Sequence, residues 1–484
     1  MFANLINTFA NCFKIPELKS RILFTLMVLA ICRLLAWVPV PGLDAQALRE
    51  HAARAASQPD NPLVGMYSLF TGGALQNCAI GALGIMPYIT ATIIVQLLTA
   101  VLPGLSKLAR EEGGRAKLIQ YGRYLTVVLC LGHGTLMTLG WERPADIFSG
   151  FAGTLVLSPG WWYRIQTVLL LTTGTLLLMW LGEQITERGI GNGISLIITV
   201  GIVADLPRAA QALYVMFFPP EGIEKRYNVF HGVALLLLLL AVVAGVIAVT
   251  QAQRKIPVQY AQRAVGRKVY AGGSSFMPLR VNYAGVMPII FAQAILMFPS
   301  MLFLKLGQLA NIKFFLDIGR DLSQGNLLYY LLYGAMIMFF SYFWVATQFN
   351  ELQIADDLKK YGGYIPGVRP GQATSDFLHR AMSRITLAGA IFLTVIAVIP
   401  MLMGQLFGIN FKVSQFFGGT SMLITVGVLL DTMRQMESHL LMRHYDRFLK
   451  KGRLKEAILS RRLGFRRRLF RATVSVAIVK FIAG

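Results

Sequence analysis

Apolar positions in this chain fall in long, nearly unbroken runs, and the polar positions gather between them. Neither the alternation of a half-buried strand nor the 3.6-residue stripe of a soluble helix describes such runs. Ten of them, centred near Leu29, Ile94, Leu129, Leu176, Ile202, Leu240, Leu296, Met338, Val395 and Val426, have about the length that crosses a bilayer as a helix. Backbone groups in hydrocarbon have no water to bond to, so runs of this length must be helices and not strands. The pattern therefore predicts ten membrane spans and leaves no room for a separate soluble domain. After the first run, Trp37-Val38-Pro39-Val40-Pro41-Gly42 reads as a helix exit and turn, and no small-residue cleavage site follows. That run is expected to remain as a span and not to be cleaved as a signal peptide.

One motif appears twice. Gly84-Ile85-Met86-Pro87-Tyr88-Ile89-Thr90 opens the second run, and Gly285-Val286-Met287-Pro288-Ile289-Ile290-Phe291 opens the seventh, about two hundred residues later. If successive runs alternate in direction, the two copies point in opposite senses, as in an inverted repeat whose working site lies where the halves meet. Chance is the competing explanation, because Gly, Ile and Pro are common in spans.

Composition agrees with the pattern. Apolar residues make up 55% of the chain and charged residues 14%, well below the roughly 25% of soluble domains. The net charge of +23 is unevenly spread. Lys107, Arg110, Arg115, Lys117 and Arg123 lie between runs two and three, and Arg254, Lys255, Arg263, Arg267, Lys268 and Arg280 between runs six and seven. The loop after run one balances Arg49 and Arg54 against Asp44, Glu50 and Asp60; that after run five balances Arg208, Lys225 and Arg226 against Asp205, Glu221 and Glu224. Positive loops stay in the cytoplasm. With an even number of spans both termini are then cytoplasmic, including the basic tail with Arg461, Arg462, Arg466, Arg467 and Arg468. Attraction to anionic lipid alone accounts for such a face equally well in the tail, whose short apolar end is read as interfacial or as an arm on RNA.

Two loops exceed what connection needs. Residues 251–281 combine charge, Gly and β-formers and predict a protruding hairpin, and residues 350–384 carry the turn-dense tip Ile365-Pro366-Gly367-Val368-Arg369-Pro370-Gly371. Clustered cations suit phosphate or carboxylate surfaces, so ribosomal RNA and an acidic motor are both sensible partners, against a loop that is merely solvated.

Catalytic chemistry is poorly supported. Cys12, Cys32, Cys78 and Cys130 lack metal-ligand spacing, and His51, His133, His231, His379, His439 and His444 are scattered, so no metal or cofactor is expected. Gly189-Ile190-Gly191-Asn192-Gly193 resembles a phosphate loop but lacks the preceding strand and the Lys-Ser/Thr partner; a tight turn between helices is expected instead. A proton- or ion-coupled transporter needs charge at mid-membrane. The runs hold almost none, Arg33 being the main exception, with snorkelling or a backbone carbonyl as its two outlets. Isoleucine stands at the helix starts instead, at positions 85, 89, 194, 198, 290 and 424.

Over roughly Lys19 to Lys451 the chain resembles the SecY family, the channel subunits of the bacterial general protein translocase. The resemblance rests on Val38-Pro39-Val40-Pro41-Gly42, Phe70-Thr71-Gly72-Gly73-Ala74-Leu75, the first copy of the repeat and Glu111-Glu112-Gly113-Gly114-Arg115. It continues through Met179-Trp180-Leu181-Gly182-Glu183-Gln184-Ile185-Thr186-Glu187-Arg188, the glycine turn, Arg254-Lys255-Ile256-Pro257-Val258-Gln259-Tyr260, the tip at Arg369 and Phe417-Gly418-Gly419-Thr420-Ser421. Arg33-Leu34 departs from it by lacking a glycine often found after the family's arginine.

The resemblance implies an all-α integral membrane protein, with ten helices in two inverted, pseudo-symmetric five-helix halves around a central pore. The halves would be residues 1–218 and 219–436, followed by a basic cytoplasmic tail, 437–484. It implies a pore ring of Ile85, Ile89, Ile194, Ile198, Ile290 and Ile424, and a plug over about 65–75 with Met66, Tyr67, Ser68, Leu69, Phe70, Thr71, Gly72 and Gly73. The lateral gate would comprise Pro87, Thr90, Thr92, Gln96, Pro288 and Gln293; Thr90, Thr92, Gln96, Asn192 and Gln293 would make polar contacts across it when closed, with ordinary interhelical hydrogen bonds as an equal alternative. Arg254, Lys255 and Arg369 would dock a motor or a ribosome. Implied partners are the SecE and SecG subunits, the SecA ATPase, the ribosome, signal-bearing preproteins, YidC, SecDF and membrane lipid. The implied place is the bacterial plasma membrane, and the implied function is a protein-conducting channel and not an enzyme. The competing function is an inverted-repeat secondary transporter of a small solute.

Overall fold

The computed structural model describes residues 15–54, 70–111, 113–144, 151, 153–218, 227–260, 263–265, 268–270, 273–310, 312–323, 325–409, 411–417 and 419–440. By contacts, Phe24–Leu430 form one compact unit, and Met1–Leu23 with Asp431–Gly484 form another. Met66, Tyr67, Ser68 and Leu69 of the expected plug, Cys12, and the tail beyond residue 440 lie outside the described residues.

Helices dominate, as the run lengths require. Among the described residues, nine are long and apolar enough to cross a membrane: Ile80–Val101, Gly114–Glu142, Trp161–Arg188, Gly193–Phe217, Phe230–Gln251, Met287–Leu304, Leu327–Lys360, Gln372–Gly404 and Val413–Leu440. The run near Leu29 is also a helix, α1 (Pro16–Leu35). Glu17, Lys19, Arg21 and Arg33 are spaced so that every 18-residue stretch of it holds at least three charges, whereas each of the other nine has such a stretch with two or fewer, so its composition alone does not mark it as a span.

Past α1 the Val-Pro-Val-Pro-Gly motif is extended, with Gly42 turning at φ +89°. Proline removes amide donors at positions 39 and 41, and the remaining backbone groups pair elsewhere. Val40 N donates to Cys78 O at 2.8 Å and Ile80 N to Val38 O at 2.9 Å, while Asp44 N donates to Leu155 O at 2.9 Å. The Asp44 carboxylate then caps α2 (Ala45–Arg54), accepting from Gln46 N and Ala47 N.

A short 3-10 turn, Ile80–Leu83, leads into α3 (Met86–Val101), where Pro87 occupies a first-turn position that needs no amide. After α4 (Pro103–Arg110), two long helices, α5 (Gly114–Glu142) and α6 (Trp161–Arg188), pack together. Bidentate ion pairs join them at both ends, Arg123 to Glu183 at 2.7 Å and Arg164 to Glu142 at 2.7 Å. The glycine-rich stretch after α6 is the expected turn: α7 (Gly193–Ala204) begins at once, and the Asn192 side chain accepts from Ile194 N and Ser195 N as its cap. A Cβ on Gly193 would lie 1.9 Å from Gly182 O, so only glycine lets these helices approach this closely. Asp205 marks the junction with α8 (Leu206–Phe217), and α9 (Val229–Gln251) follows.

The expected hairpin is present within residues 251–281. Strand β1 (Gln253–Tyr260) pairs antiparallel with β4 (Ser274–Arg280), and β2 (Arg263–Val265) with β3 (Lys268–Tyr270). The chain then resumes with α10 (Met287–Ala310), α11 (Lys313–Asp321), α12 (Leu327–Gln348) and α13 (Glu351–Lys360). Strand β5 (Gly363–Tyr364) adds to β1, so both long loops share one three-stranded sheet in the order β4-β1-β5. α14 (Gln372–Leu406), α15 (Phe411–Phe417) and α16 (420–440) complete the described chain.

Candidate functional site

Four helices begin with the isoleucines singled out in the sequence. Ile85 caps α3 and Ile89 lies in its first turn; Ile194 and Ile198 open α7; Ile290 opens α10; and Ile424 opens α16. Ile85, Ile89, Ile198, Ile290 and Ile424 are buried at 3% exposure or less, and all five belong to one continuous apolar cluster, with half-buried Ile194 packed against it. Branched aliphatic side chains have few rotamers and no polar atoms.

The described part of the expected plug lies next to this cluster. Phe70, Thr71, Gly72 and Gly73 are buried, and Phe70 joins the same apolar cluster. Arg33 takes the second of its two expected outlets: its Nη1 donates to Gly72 O at 3.0 Å. A cavity of about 30 Å³ remains between them, lined by Arg33, Phe70, Ile85 and Gly201 among others.

Of the expected gate residues, Pro87 and Pro288 are buried near the starts of α3 and α10, and these two helices pack against each other. Thr90 and Thr92 donate to carbonyls of their own helix, Met86 O at 3.1 Å and Ile89 O at 2.8 Å. Gln96 is exposed, whereas Gln293 is 1% exposed and its Oε1 accepts no hydrogen bond. Asn192 is occupied as a helix cap. The polar contacts of Thr90, Thr92 and Asn192 are therefore local and do not cross between helices.

Arg254, Lys255 and Arg369 are exposed on the shared sheet and its adjoining tip. Beneath them lies a second apolar core, with Ile256 and Val258 from β1, Leu279 from β4, Ile365 after β5 and Leu378 from α14. Tyr364 donates through its hydroxyl to Gln259 Oε1 at 2.9 Å, and Thr374 Oγ1 donates to Arg369 O at 2.9 Å, bracing the tip. The union of the two loops was missed in the sequence because a two-residue strand leaves no periodic signal. Gln76, Asn77 and Arg208 were missed as well; the spacing Asp205-x-x-Arg208 at a helix break was the available clue. Among the described residues no group of three His, Cys, Asp or Glu side chains is placed to hold a metal.

A bundle of long apolar helices, an isoleucine cluster at four helix starts and a charged sheet on two connecting loops define a multi-pass membrane protein of the channel class. A family model described as SecY matches residues 79–433, and the chain belongs to the SecY family. It is 43% identical over 444 residues to the protein translocase subunit SecY of Escherichia coli K12, covering 91% of this chain and 95% of that one. To the Thermotoga maritima subunit it is 40% identical over 450 residues, covering 92% and 98%. The fold matches a solved structure described as a protein conducting channel with a TM-score of 0.58 at 21% identity, over 86% of this chain and 91% of that chain. It also matches Sec61 from a canine ribosome-channel complex at 0.54 and 20%, covering 86% and 91%.

Proposed function

We propose that this chain is the channel subunit of a bacterial protein translocase. It passes unfolded secretory polypeptides across the plasma membrane and releases transmembrane segments sideways into lipid. One observation carries this reading: isoleucines at the starts of four helices far apart in sequence all lie in or against the main buried apolar core of a chain of the SecY family. A small-solute transporter would place charge and a polar pocket there, and the relatives give no support to that alternative.

In this reading the ten runs, α1 among them, form two inverted five-helix halves, 1–218 and 219–436, with both termini and the basic tail in the cytoplasm. The six isoleucines act as a gasket that blocks ions by dewetting and deforms around a passing chain. The segment around 65–75 is the plug. α3 and α10 are the two edges of the lateral gate, with Pro87, Thr90, Thr92, Gln96, Pro288 and Gln293 along it. A leucine-rich segment of about 20 residues gains about 0.3 to 0.6 kcal/mol per residue at the bilayer centre and leaves through the gate; charged segments do not.

The pore breaks no bond, so its energy comes from outside. The SecA ATPase and the ribosome are the proposed sources, meeting Arg369, Arg254 and Lys255 on the sheet; SecE, SecG, YidC and SecDF are proposed membrane partners. The solved ribosome-channel complex among the structural relatives supports the ribosome. Reconstitution tests the reading: with SecE, SecG, SecA and ATP present, vesicles holding this chain protect a signal-bearing precursor from protease. A precursor that remains fully digested contradicts it.

A further inference from the structure

Two arginines that no pore, gate or docking role employs converge on residues 70–78. Arg33 bonds Gly72 O from α1. From α8, Arg208 Nη1 donates to Gln76 Oε1 at 2.9 Å and to Asp205 Oδ1 at 3.2 Å. Asn77 Nδ2 donates to Ala36 O at 3.0 Å, fastening the same segment to the exit of α1. The Asp205 side chain is 12% exposed and acts electrostatically on Arg33 as well, offsetting the repulsion between the two guanidiniums.

Two glycines make these contacts possible. Gly72 and Gly73 have φ of +61° and +81°, which side-chain-bearing residues rarely adopt. A Cβ on Gly72 would lie 2.3 Å from the Arg33 guanidinium and 2.8 Å from the Cα of Gly201; one on Gly73 would lie 2.5 Å from the Arg208 guanidinium. The backbone thus presses against α7 where both cations reach it. The small cavity behind Phe70 and Thr71, with Ile85 in its wall, places this segment beside the first of the six isoleucines.

We propose that Arg33, Asp205, Arg208 and Gln76 form a polar latch that holds residues 70–77 in the closed position, so that its strength sets the threshold for opening. The proposal rests on the channel reading above. Apolar packing alone yields gradually as a segment slides, whereas a hydrogen bond is directional and is lost within a small displacement. The Arg208 side chain is 41% exposed, so water replaces the lost bonds once the segment leaves. The latch therefore favours the closed state without penalising the open one.

The test uses the assembled translocase in vesicles, with one precursor bearing a normal signal and another a weakened one. Arg208→Ala and Gln76→Leu raise export of the weakened precursor about fivefold, the size of one charge-assisted hydrogen bond at a half-exposed site. Combining them adds little, because both remove the same contact. Gln76→Glu, which gives Arg208 a second carboxylate, lowers that export. A general folding defect moves all variants in one direction, so opposite signs identify a latch. Unchanged or uniformly reduced export in all variants, with the parent active on the normal precursor, overturns the latch alone. A parent chain that exports neither precursor contradicts the channel reading instead.

Discussion

The isoleucine cluster and the two-loop sheet are built on opposite principles. In the first, branched side chains at the starts of four helices lie buried in or against the main apolar core and bring no polar groups of their own. In the sheet, a small core of Ile256, Val258, Leu279 and Ile365 supports charges displayed to solvent. A seal depends on volume and shape and tolerates exchange of one aliphatic group for another. A docking face depends on the sign and position of individual charges. Substitutions that conserve chemistry should therefore be silent in the first region, and those that conserve only size should be disabling in the second.

The largest effect is expected at the tip. Arg369→Glu keeps a long side chain and reverses its charge, and it is expected to reduce SecA-driven export at least tenfold while the protein still inserts and assembles. Protease protection of a precursor measures this, and normal export removes Arg369 from the docking role. Next, replacing Ile89 and Ile290 together with glycine opens the seal, and resting ion conductance in planar bilayers rises several-fold while export continues. Unchanged conductance counts against the gasket.

A smaller effect tests whether the sheet's core supports its charges. Leu279→Ala is expected to cost about 2–5 kcal/mol of local stability. Hydrogen exchange of the amides of 253–260 should accelerate, with exchange in α5 and α6 unaltered; equal acceleration in both would mean that the sheet is no separate core. The smallest effect belongs to Ile198→Leu, which conserves volume and is expected to cost below about 1.5 kcal/mol with conductance and export close to the parent. A large leak from this change would show that the seal needs a particular side chain and not merely a filled volume.

How much of this was legible in the sequence follows from the range of the interactions. Helices were legible because bilayer crossing imposes a length that local composition reveals, and the turn at 189–193 was legible from its glycines. α1 was legible as a helix, while its four charges blur it as a span. The six isoleucines had no distinguishing period and stood out only through their places at helix starts and the family resemblance. Contacts set by tertiary structure were hidden: Arg208 reaches Gln76 across 132 positions, and Gln259 meets Tyr364 across 105. Asn192 shows the limit of residue type as a guide, since the same amide serves a gate contact or a helix cap, and the structure uses it as a cap.

The most direct test of the central claim is site-directed crosslinking of a stalled secretory precursor to cysteines placed at Ile85, Ile290 and Ile424, in vesicles supplied with SecA and ATP. The account predicts adducts at all three positions, because a polypeptide in transit must pass through the cluster where α3, α10 and α16 begin. Continued export with no adduct at any of them would place the path elsewhere and contradict the account.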